Sequence, residues 1–181
     1  MSIDVKIKTN VIEKTSVRHQ RGEQMSATLV LENEEIKNKI IGTLGLKNSD
    51  IKPRERDRGM LTFDAVIRKG IPYSKVGLVK TALNLTDNEV ADYLGISLRT
   101  LQRKRDSHER LTIAEGDRLF RITRIFALAV SVLESEDMAR KWLHREQRGL
   151  GGRVPIQVIQ TEAGTQEVED LLERIEFGVL V

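Results

Sequence analysis

Several features are scarce or missing in this 181-residue chain, and each absence excludes some classes of fold or function. The absence of cysteine excludes disulfides, thiolate zinc sites and cysteine nucleophiles. Aromatic residues make up 4% and charged residues 31%, a balance that favours helices over β-sandwiches. The longest nearly apolar run, Ile125 to Leu133, is too short to span a bilayer, and the amino terminus lacks a signal-peptide core. These absences predict a soluble, cytoplasmic protein with no membrane contact.

Recognisable catalytic and metal-binding patterns are missing as well. The three histidines, His19, His108 and His144, are scattered without metal-ligand spacing. No Ser-His-Asp set, His-Glu-x-x-His motif or Walker motif can be assembled. An acidic cluster at 134–137 is better explained by an exposed turn and a helix cap than by acid–base chemistry. We therefore predict that the protein is not an enzyme and uses no metal or cofactor.

The stretch from Thr86 to Arg105 has the pattern of a helix-turn-helix. Thr86 and Glu89 have the spacing of a capping box at the start of the first helix. Gly95 can adopt the positive φ that a tight turn requires, and Ser97 can cap the second helix. That second helix, Leu98 to about Arg105, is the candidate recognition helix.

The candidate recognition helix directs arginine and glutamine side chains outward, where they can bind guanine, adenine or phosphate. Between residues 97 and 110 there are five basic residues and two acidic ones. The predicted DNA-binding residues are Ser97, Arg99, Thr100, Gln102, Arg103 and Arg105. Two amphipathic helices that serve only as scaffold would show the same spacing, but they would not require guanidinium groups on that face.

Residues 1–59 form an amino-terminal extension whose role the sequence leaves open. Alternation at Ile3–Ile7 and a β-like run at Thr28–Leu31 suggest short strands. Asn33 then has the position of a cap before an amphipathic helix. The charged stretch from Lys47 to Gly59 is typical of a linker or an exposed turn.

Helices are predicted on both sides of the helix-turn-helix. One ends at Gly70, and Pro72 and Ser74 open the next. A long helix from about Ala114 to Glu134 is too widely apolar for one buried face, so we expect it to be central to the domain and also to pair with its copy in a dimer. Trp142, the only tryptophan, is expected to be a structural anchor on a short helix.

The carboxy-terminal part contains a glycine-rich segment and a last helix. The GLGGRVP segment at 149–155 could cradle a phosphate, but no Lys-Ser or Lys-Thr follows it. Pro155 is ordinary punctuation at the start of a helix. Gly164 is expected to break the chain, with Thr165 capping a last helix that Gly178 ends.

Charge distinguishes this last helix from the candidate recognition helix. Between Glu162 and Glu176 there are six acidic residues and one basic residue, Arg174. DNA phosphate would repel this surface, which leaves it available to a protein partner, for instance a basic one. The apolar tail Val179–Val181 supports that expectation, because an exposed apolar terminus is a candidate contact surface.

In combination, these features resemble the antitoxins of the Xre/MbcA/ParS group, in which a toxin-binding domain follows an Xre-like helix-turn-helix. The resemblance covers about residues 60–181 and includes the segment at 69–76. The other residues that carry it are Arg99-Thr100-Leu101, Arg103-Lys104, Leu111, Glu115, Asp117-Arg118-Leu119, Trp142-Leu143, Leu150-Gly151-Gly152, Pro155, Thr161, Gly164, Val168, Leu172, Arg174-Ile175 and Gly178. The chain departs from the family at Glu146-Gln147, where Pro-Asn is usual, and at Phe177, where Tyr is frequent.

The resemblance implies a type II antitoxin that neutralises a partner toxin, most often of the RES-domain class that consumes NAD or transfers from it. It also implies dimerisation, repression of the protein's own operon, and a carboxy-terminal module that caps the toxin's active-site cleft. The residues expected to contact the toxin are Arg174, Glu176, Phe177 and Gly178. Those expected to shape the module instead are Gly151, Gly152 and Pro155.

The sequence therefore predicts a mainly α protein in three parts: an amino-terminal extension at 1–59, an Xre-like helix-turn-helix DNA-binding domain at 60–112 and a toxin-binding domain at 113–181. Its expected partners are a cognate toxin, operator DNA and a second copy of the chain within a larger complex. One alternative is a stand-alone transcription regulator whose last module serves dimerisation or effector sensing. Another is an adaptor for polar localisation or segregation.

Overall fold

The computed structural model describes residues 33–47, residue 51 and residues 60–178. The predicted strands at Ile3–Ile7 and Thr28–Leu31 lie outside the described residues. The apolar tail Val179–Val181 and most of the predicted linker also lie outside them.

The described residues are almost entirely helical, and they contain no β-strand. In chain order the helices are α1 (Glu34–Thr43), α2 (Met60–Lys69), α3 (Ser74–Leu83), α4 (Asp87–Leu94), α5 (Leu98–Ser107), α6 (Ile113–Leu133), α7 (Glu136–Leu143), α8 (Pro155–Val158) and α9 (Glu162–Glu176), with a short 3₁₀ turn at Arg148–Leu150. The mainly α prediction is confirmed. None of the helices in this part of the chain is long and apolar enough to cross a membrane.

The 21-residue helix α6 is the centre of the fold. It packs against α1, α2, α3, α4, α7 and α9. Every residue from Ile122 to Ala129 is buried, which explains why its apolar surface is wider than one face. The expected central position of α6 is thus confirmed. Helices of the same chain cover it, and its pairing with a second copy in a dimer remains a prediction. A capping box at the start of α6 was not predicted from the sequence. The Thr112 backbone N–H donates to the Glu115 carboxylate, and the Glu115 backbone N–H donates to the Thr112 hydroxyl.

The predicted helix in the amino-terminal extension is part of this core. Asn33 caps α1 by accepting a hydrogen bond from the Glu35 backbone N–H at 3.0 Å. Ile36 and Ile40 are buried, and α1 packs against both α3 and α6. The segment around α1 therefore supplies apolar contacts to the helix at the centre of the molecule.

The predicted helix-turn-helix is formed by α4 and α5. Thr86 and Glu89 make the capping box, with a distance of 2.7 Å from the Thr86 backbone nitrogen to Glu89 Oε2. Gly95 adopts a φ of 69°, as the turn requires, and Ser97 caps α5 by accepting from the Thr100 backbone N–H at 3.1 Å. Arg118 of α6 donates to the Leu94 carbonyl at 2.6 Å, so the long helix also supports this turn.

The predicted start of the last helix was wrong. Thr161, not Thr165, caps α9, because its hydroxyl accepts a hydrogen bond from the Gly164 backbone N–H at 3.1 Å. Thr165 is buried inside the first turns and donates to the Thr161 carbonyl at 2.8 Å. Gly164 does not break the chain but lies within the helix, where the lack of a Cβ lets the Val158 carbonyl approach.

Substitution of Gly164 by alanine tests this close approach. A Cβ at this position would lie 1.9 Å from the Val158 carbonyl oxygen, so the backbone must move. We expect Gly164→Ala to lower the free energy of unfolding by about 1–3 kcal/mol, as overpacking does. Urea denaturation would measure it. The matched control is Gly77→Ala, also inside a helix but with no neighbouring atom within 4 Å, which should stabilise by about 0.4–1 kcal/mol. Equal effects of the two substitutions would contradict the packing explanation.

The glycine-rich segment before α8 forms a compact turn. Gln147 and Arg153 form an isolated antiparallel β-bridge. Leu150, in the loop that this bridge closes, is buried. Pro155 occupies the beginning of α8, as predicted. Trp142 on α7 is half-buried and packs against the core, so its anchoring role is confirmed.

Candidate functional site

One face of α5 forms an open, solvent-exposed surface on the outside of the helix-turn-helix. The residues that line it, hereafter the α5 face, are Leu98, Arg99, Thr100, Gln102, Arg103, Asp106 and Ser107. Four of the six predicted DNA-binding residues lie there. Arg99 and Arg103 are one helical turn apart, and both are exposed. Burial of Leu101 on the opposite side fixes which way this face points.

The two guanidinium groups of the α5 face differ in their surroundings. Arg103 Nε lies 3.9 Å from Glu109 Oε1, a loose contact between two solvent-exposed groups. Arg99 makes no ion pair with any residue that the structure describes. Both side chains are thus accessible to an anionic partner such as a phosphate or to the acceptor edge of guanine.

The other two predicted DNA-binding residues have local structural contacts. The Ser97 hydroxyl is the cap of α5 and also lies 2.9 Å from the Thr100 hydroxyl. Arg105 is outside the α5 face, with Nη2 3.1 Å from Asp87 Oδ1 on α4. Hydrogen bonds from Lys80 and Arg105 hold the pKa of Asp87 below its usual value. The structure therefore separates Arg105 from Arg99 and Arg103.

Lys104 contributes to the fold rather than to the basic surface. It is 6% exposed, with its Nζ 3.2 Å from Glu115 Oε2 of α6 and 3.6 Å from Glu109 Oε2. Lys104 follows Leu101 by three residues, which places it on the inward side of α5. This spacing could have predicted its burial from the sequence. Arg110 is also engaged, because it donates to the Gly70 carbonyl at 2.6 Å. Of the five basic residues between 97 and 110, two line the α5 face.

At the other end of the fold, α9 is held against α6 by apolar residues and one buried ion pair. Val168, Leu171 and Leu172 are buried. Arg124 Nη2 lies 2.8 Å from Glu169 Oε1, and both side chains are almost fully buried. Burial raises the pKa of Glu169, although the Arg124 charge acts in the opposite direction. The guanidinium and carboxylate groups are poorly aligned for hydrogen bonding. Neither Arg124 Nε nor Glu169 Oε1 makes a hydrogen bond within the described residues.

The acidic residues of α9 are partly neutralised by the same chain. Glu162 Oε2 lies 3.2 Å from Arg121 Nε on α6, and Glu167 is paired with Arg153 of the glycine-rich turn. With Glu169, three of the six carboxylates predicted to form an acidic surface have arginine partners.

The four residues predicted to contact the toxin are together at the carboxy-terminal end of α9. Arg174 and Phe177 are half-buried, whereas Glu176 and Gly178 are exposed. Arg174 Nε donates to the Asp170 carbonyl at 3.3 Å, and the Phe177 backbone N–H donates to the Glu173 carbonyl at 3.0 Å. The group forms one terminal surface, hereafter the α9 tip.

A hydrogen bond that the sequence did not reveal links the helix-turn-helix to the carboxy-terminal part. The buried Tyr93 hydroxyl of α4 donates to the Ile159 carbonyl, which precedes α9, at 3.2 Å. Burial raises the pKa of the Tyr93 phenol, which keeps it protonated and able to donate. Because this contact joins residues 66 positions apart, no local pattern predicts it.

A capped helix-turn-helix with outward arginines, built on the same core as a second helical module, places the chain in the class of helix-turn-helix proteins. The comparisons with known families specify the class further. The Antitoxin Xre-like helix-turn-helix domain matches residues 62–124, and the Antitoxin Xre/MbcA/ParS C-terminal toxin-binding domain matches residues 128–178. The two matches meet inside α6. The predicted domain boundary between residues 112 and 113 remains a prediction.

Three relatives named Antitoxin Xre are similar to the chain. The one from Yersinia enterocolitica is 31% identical over 123 residues, which cover 67% of this chain and 82% of the relative. The one from Photorhabdus laumondii is 28% identical over 119 residues, covering 65% and 80% respectively. The one from Pseudomonas putida is 37% identical over 83 residues, covering 46% and 52%. The chain belongs to the Xre/MbcA/ParS family of antitoxins, and this membership indicates a regulatory rather than an enzymatic role.

Proposed function

We propose that this antitoxin neutralises a cognate RES-type toxin, one that consumes NAD or transfers ADP-ribose from it, by placing the α9 tip over the toxin's active site. In the same proposal, the α5 face binds operator DNA and represses the antitoxin's own operon. Both activities would take place in the cytoplasm. The observation that carries the proposal is the position of Arg99 and Arg103 on one exposed face of a capped recognition helix, in a chain that also has the toxin-binding module.

Toxin occlusion is supported by the way the α9 tip is built. Buried Val168 and Leu172 anchor the helix, while Glu176 and Gly178 beyond them are exposed. A rigid helix with an exposed end can enter a cleft without unfolding, so little conformational entropy is lost on binding. A half-buried Phe177 beside an arginine and a carboxylate provides both apolar and charged contacts, as interface centres often do.

A homodimer is part of the proposal because of how helix-turn-helix repressors bind DNA. Two recognition helices, related by a two-fold axis, enter successive major grooves at half-sites about 34–36 Å apart. A single short helix offers few contacts, whereas two on one duplex multiply the affinity.

The toxin-binding half of the proposal can be tested by removing three of the four residues of the α9 tip, Glu176, Phe177 and Gly178. Because Leu171 and Leu172 are buried, a deletion starting there would unfold the module. A stop codon after Ile175 removes only the end of the tip and the tail. When this variant is co-expressed with the toxin encoded beside it, we expect growth arrest to return. Purified toxin should then degrade NAD in the presence of the variant but not in the presence of the full chain.

Retention of operator DNA provides the control for this truncation. The shortened protein should still shift a fragment from upstream of its own gene, because the α5 face is unchanged. If growth remains protected, toxin occlusion by the α9 tip is refuted. If the full chain does not co-purify with its neighbour's product at all, a stand-alone regulator becomes the better explanation.

A further inference from the structure

A leucine is exposed on the α5 face. Leu98, the first residue of α5, is 47% exposed, although most leucines in the described part of the chain are buried. It lies on the same exposed face as Arg99, Gln102 and Arg103. A bound partner that covered the methyl groups of this leucine would gain free energy by removing apolar surface from water.

The order of residues along the α5 face indicates which end approaches DNA. Leu98, Gln102 and Asp106 follow one another at intervals of four residues and so form one row. Asp106, at the carboxy-terminal end of that row, would be repelled by phosphates. The amino-terminal end, with Leu98, is therefore the part that goes deepest, as in other recognition helices. The Ser97 cap and the buried Leu101 fix the position of this leucine.

The floor of the major groove offers one apolar group, the C5 methyl of thymine, beside the hydrogen-bonding edges of the bases. We infer that Leu98 contacts a thymine methyl group in the operator and is thus a specificity-determining residue. This inference rests on the proposed DNA binding, and it adds an apolar contact to the polar ones assigned to Arg99, Gln102 and Arg103. Removing either the leucine or the methyl group should remove the same contact.

The test compares two forms of one DNA fragment, the region upstream of the protein's own gene amplified with either dTTP or dUTP. Uracil pairs as thymine does but lacks the methyl group. The wild-type chain should bind the uracil fragment about fourfold more weakly for each recognition helix engaged, the factor expected from one buried methyl group. Leu98→Ala should bind the thymine fragment more weakly than the wild type, and its preference for thymine over uracil should fall below about twofold.

Leu78→Ala is the matched control, because Leu78 is 46% exposed and lies on α3, beside Gly45 and away from the α5 face. It should keep the wild-type preference for thymine. Leu98→Gln, which keeps side-chain length at this exposed position, should lose that preference as Leu98→Ala does.

Three results would overturn the inference. Equal binding of both fragments by the wild-type chain would exclude a methyl contact. An unchanged thymine preference in both Leu98 variants would show that another residue reads the methyl group, and a loss in Leu78→Ala would show that the effect is not local. In each of these cases DNA binding itself persists. Failure of the wild-type chain to retain either fragment at low salt would refute the proposed DNA binding and the inference together.

Discussion

Replacing Arg99 and Arg103 by alanine together should abolish retention of operator DNA in a gel-shift while leaving toxin neutralisation intact. Both guanidinium groups are exposed on the α5 face, and neither is buried in an ion pair. A good bidentate contact with a base contributes about 1–3 kcal/mol to discrimination. Loss of both should therefore weaken binding by about thirtyfold or more for each recognition helix engaged.

Salt dependence would show how these arginines act. If they contact phosphates, the double substitution should also reduce the slope of log affinity against log salt, by about 0.9 for each phosphate that is no longer neutralised. If they contact guanine edges, affinity should fall with a smaller change in slope. The two modes are thus separable by titration in the same assay.

A control for the double substitution must remove the same charge elsewhere. Arg145→Ala with Arg148→Ala does so at two exposed arginines between α7 and the glycine-rich turn. This control should retain operator DNA within about twofold, because long-range electrostatics are screened at physiological salt. Equal losses in both double variants would mean that DNA binding depends on net charge, and the assignment of the α5 face would be wrong.

Arg124→Ala should lower the free energy of unfolding by about 3–5 kcal/mol, the cost of leaving a buried charge without its partner. Arg124 and Glu169 are 5% and 3% exposed at their side chains, so water cannot replace the missing charge. Chemical denaturation at neutral pH would measure the change. Combining Arg124→Met with Glu169→Leu should recover most of the loss, since apolar side chains of similar size can replace a buried pair.

The matched control for this ion pair is one turn earlier on the same helix. Arg121 pairs with Asp117 and Glu162, and both carboxylates are largely exposed. Arg121→Ala should therefore cost less than Arg124→Ala, because solvent screens both of its carboxylate partners. Similar losses in the two variants would indicate that burial does not decide the contribution of these pairs.

The Arg124→Ala effect should also depend on pH. Burial already raises the pKa of Glu169, and removal of the arginine charge would raise it further. A carboxyl group whose pKa is raised in the folded state destabilises the fold increasingly as the pH rises from its unfolded-state pKa to the raised value. The deficit should therefore shrink as pH is lowered from neutral through the raised pKa. A pH-independent deficit would contradict a charge-based cause.

The features that the sequence predicted well depend on neighbouring residues. The capping box of Thr86 and Glu89, the turn at Gly95 and the cap at Ser97 each involve residues within four positions of one another. Spacings of this kind leave a direct trace in the sequence. The α5 face followed from the same helical periodicity.

The features that the sequence did not reveal depend on contacts between distant parts of the chain. Thr161 and Thr165 are both possible caps from the sequence, and the structure assigns the cap to Thr161, with Gly164 inside the helix beside the Val158 carbonyl. The engagement of Arg105 by Asp87, like the Tyr93 hydrogen bond, required knowledge of how the helices pack. Periodicity identifies which side of a helix is buried, but it does not identify the element that covers it.

The long helix α6 has a consequence for the lifetime of the protein in the cell. It supports the turn of the helix-turn-helix through Arg118 and the last helix through Arg124. Local unfolding of α6 would therefore unfold the helix-turn-helix and the last helix in one cooperative event. Under the proposed function, a protease that captures this opened form would end operon repression and toxin neutralisation together, because both would depend on one folded chain.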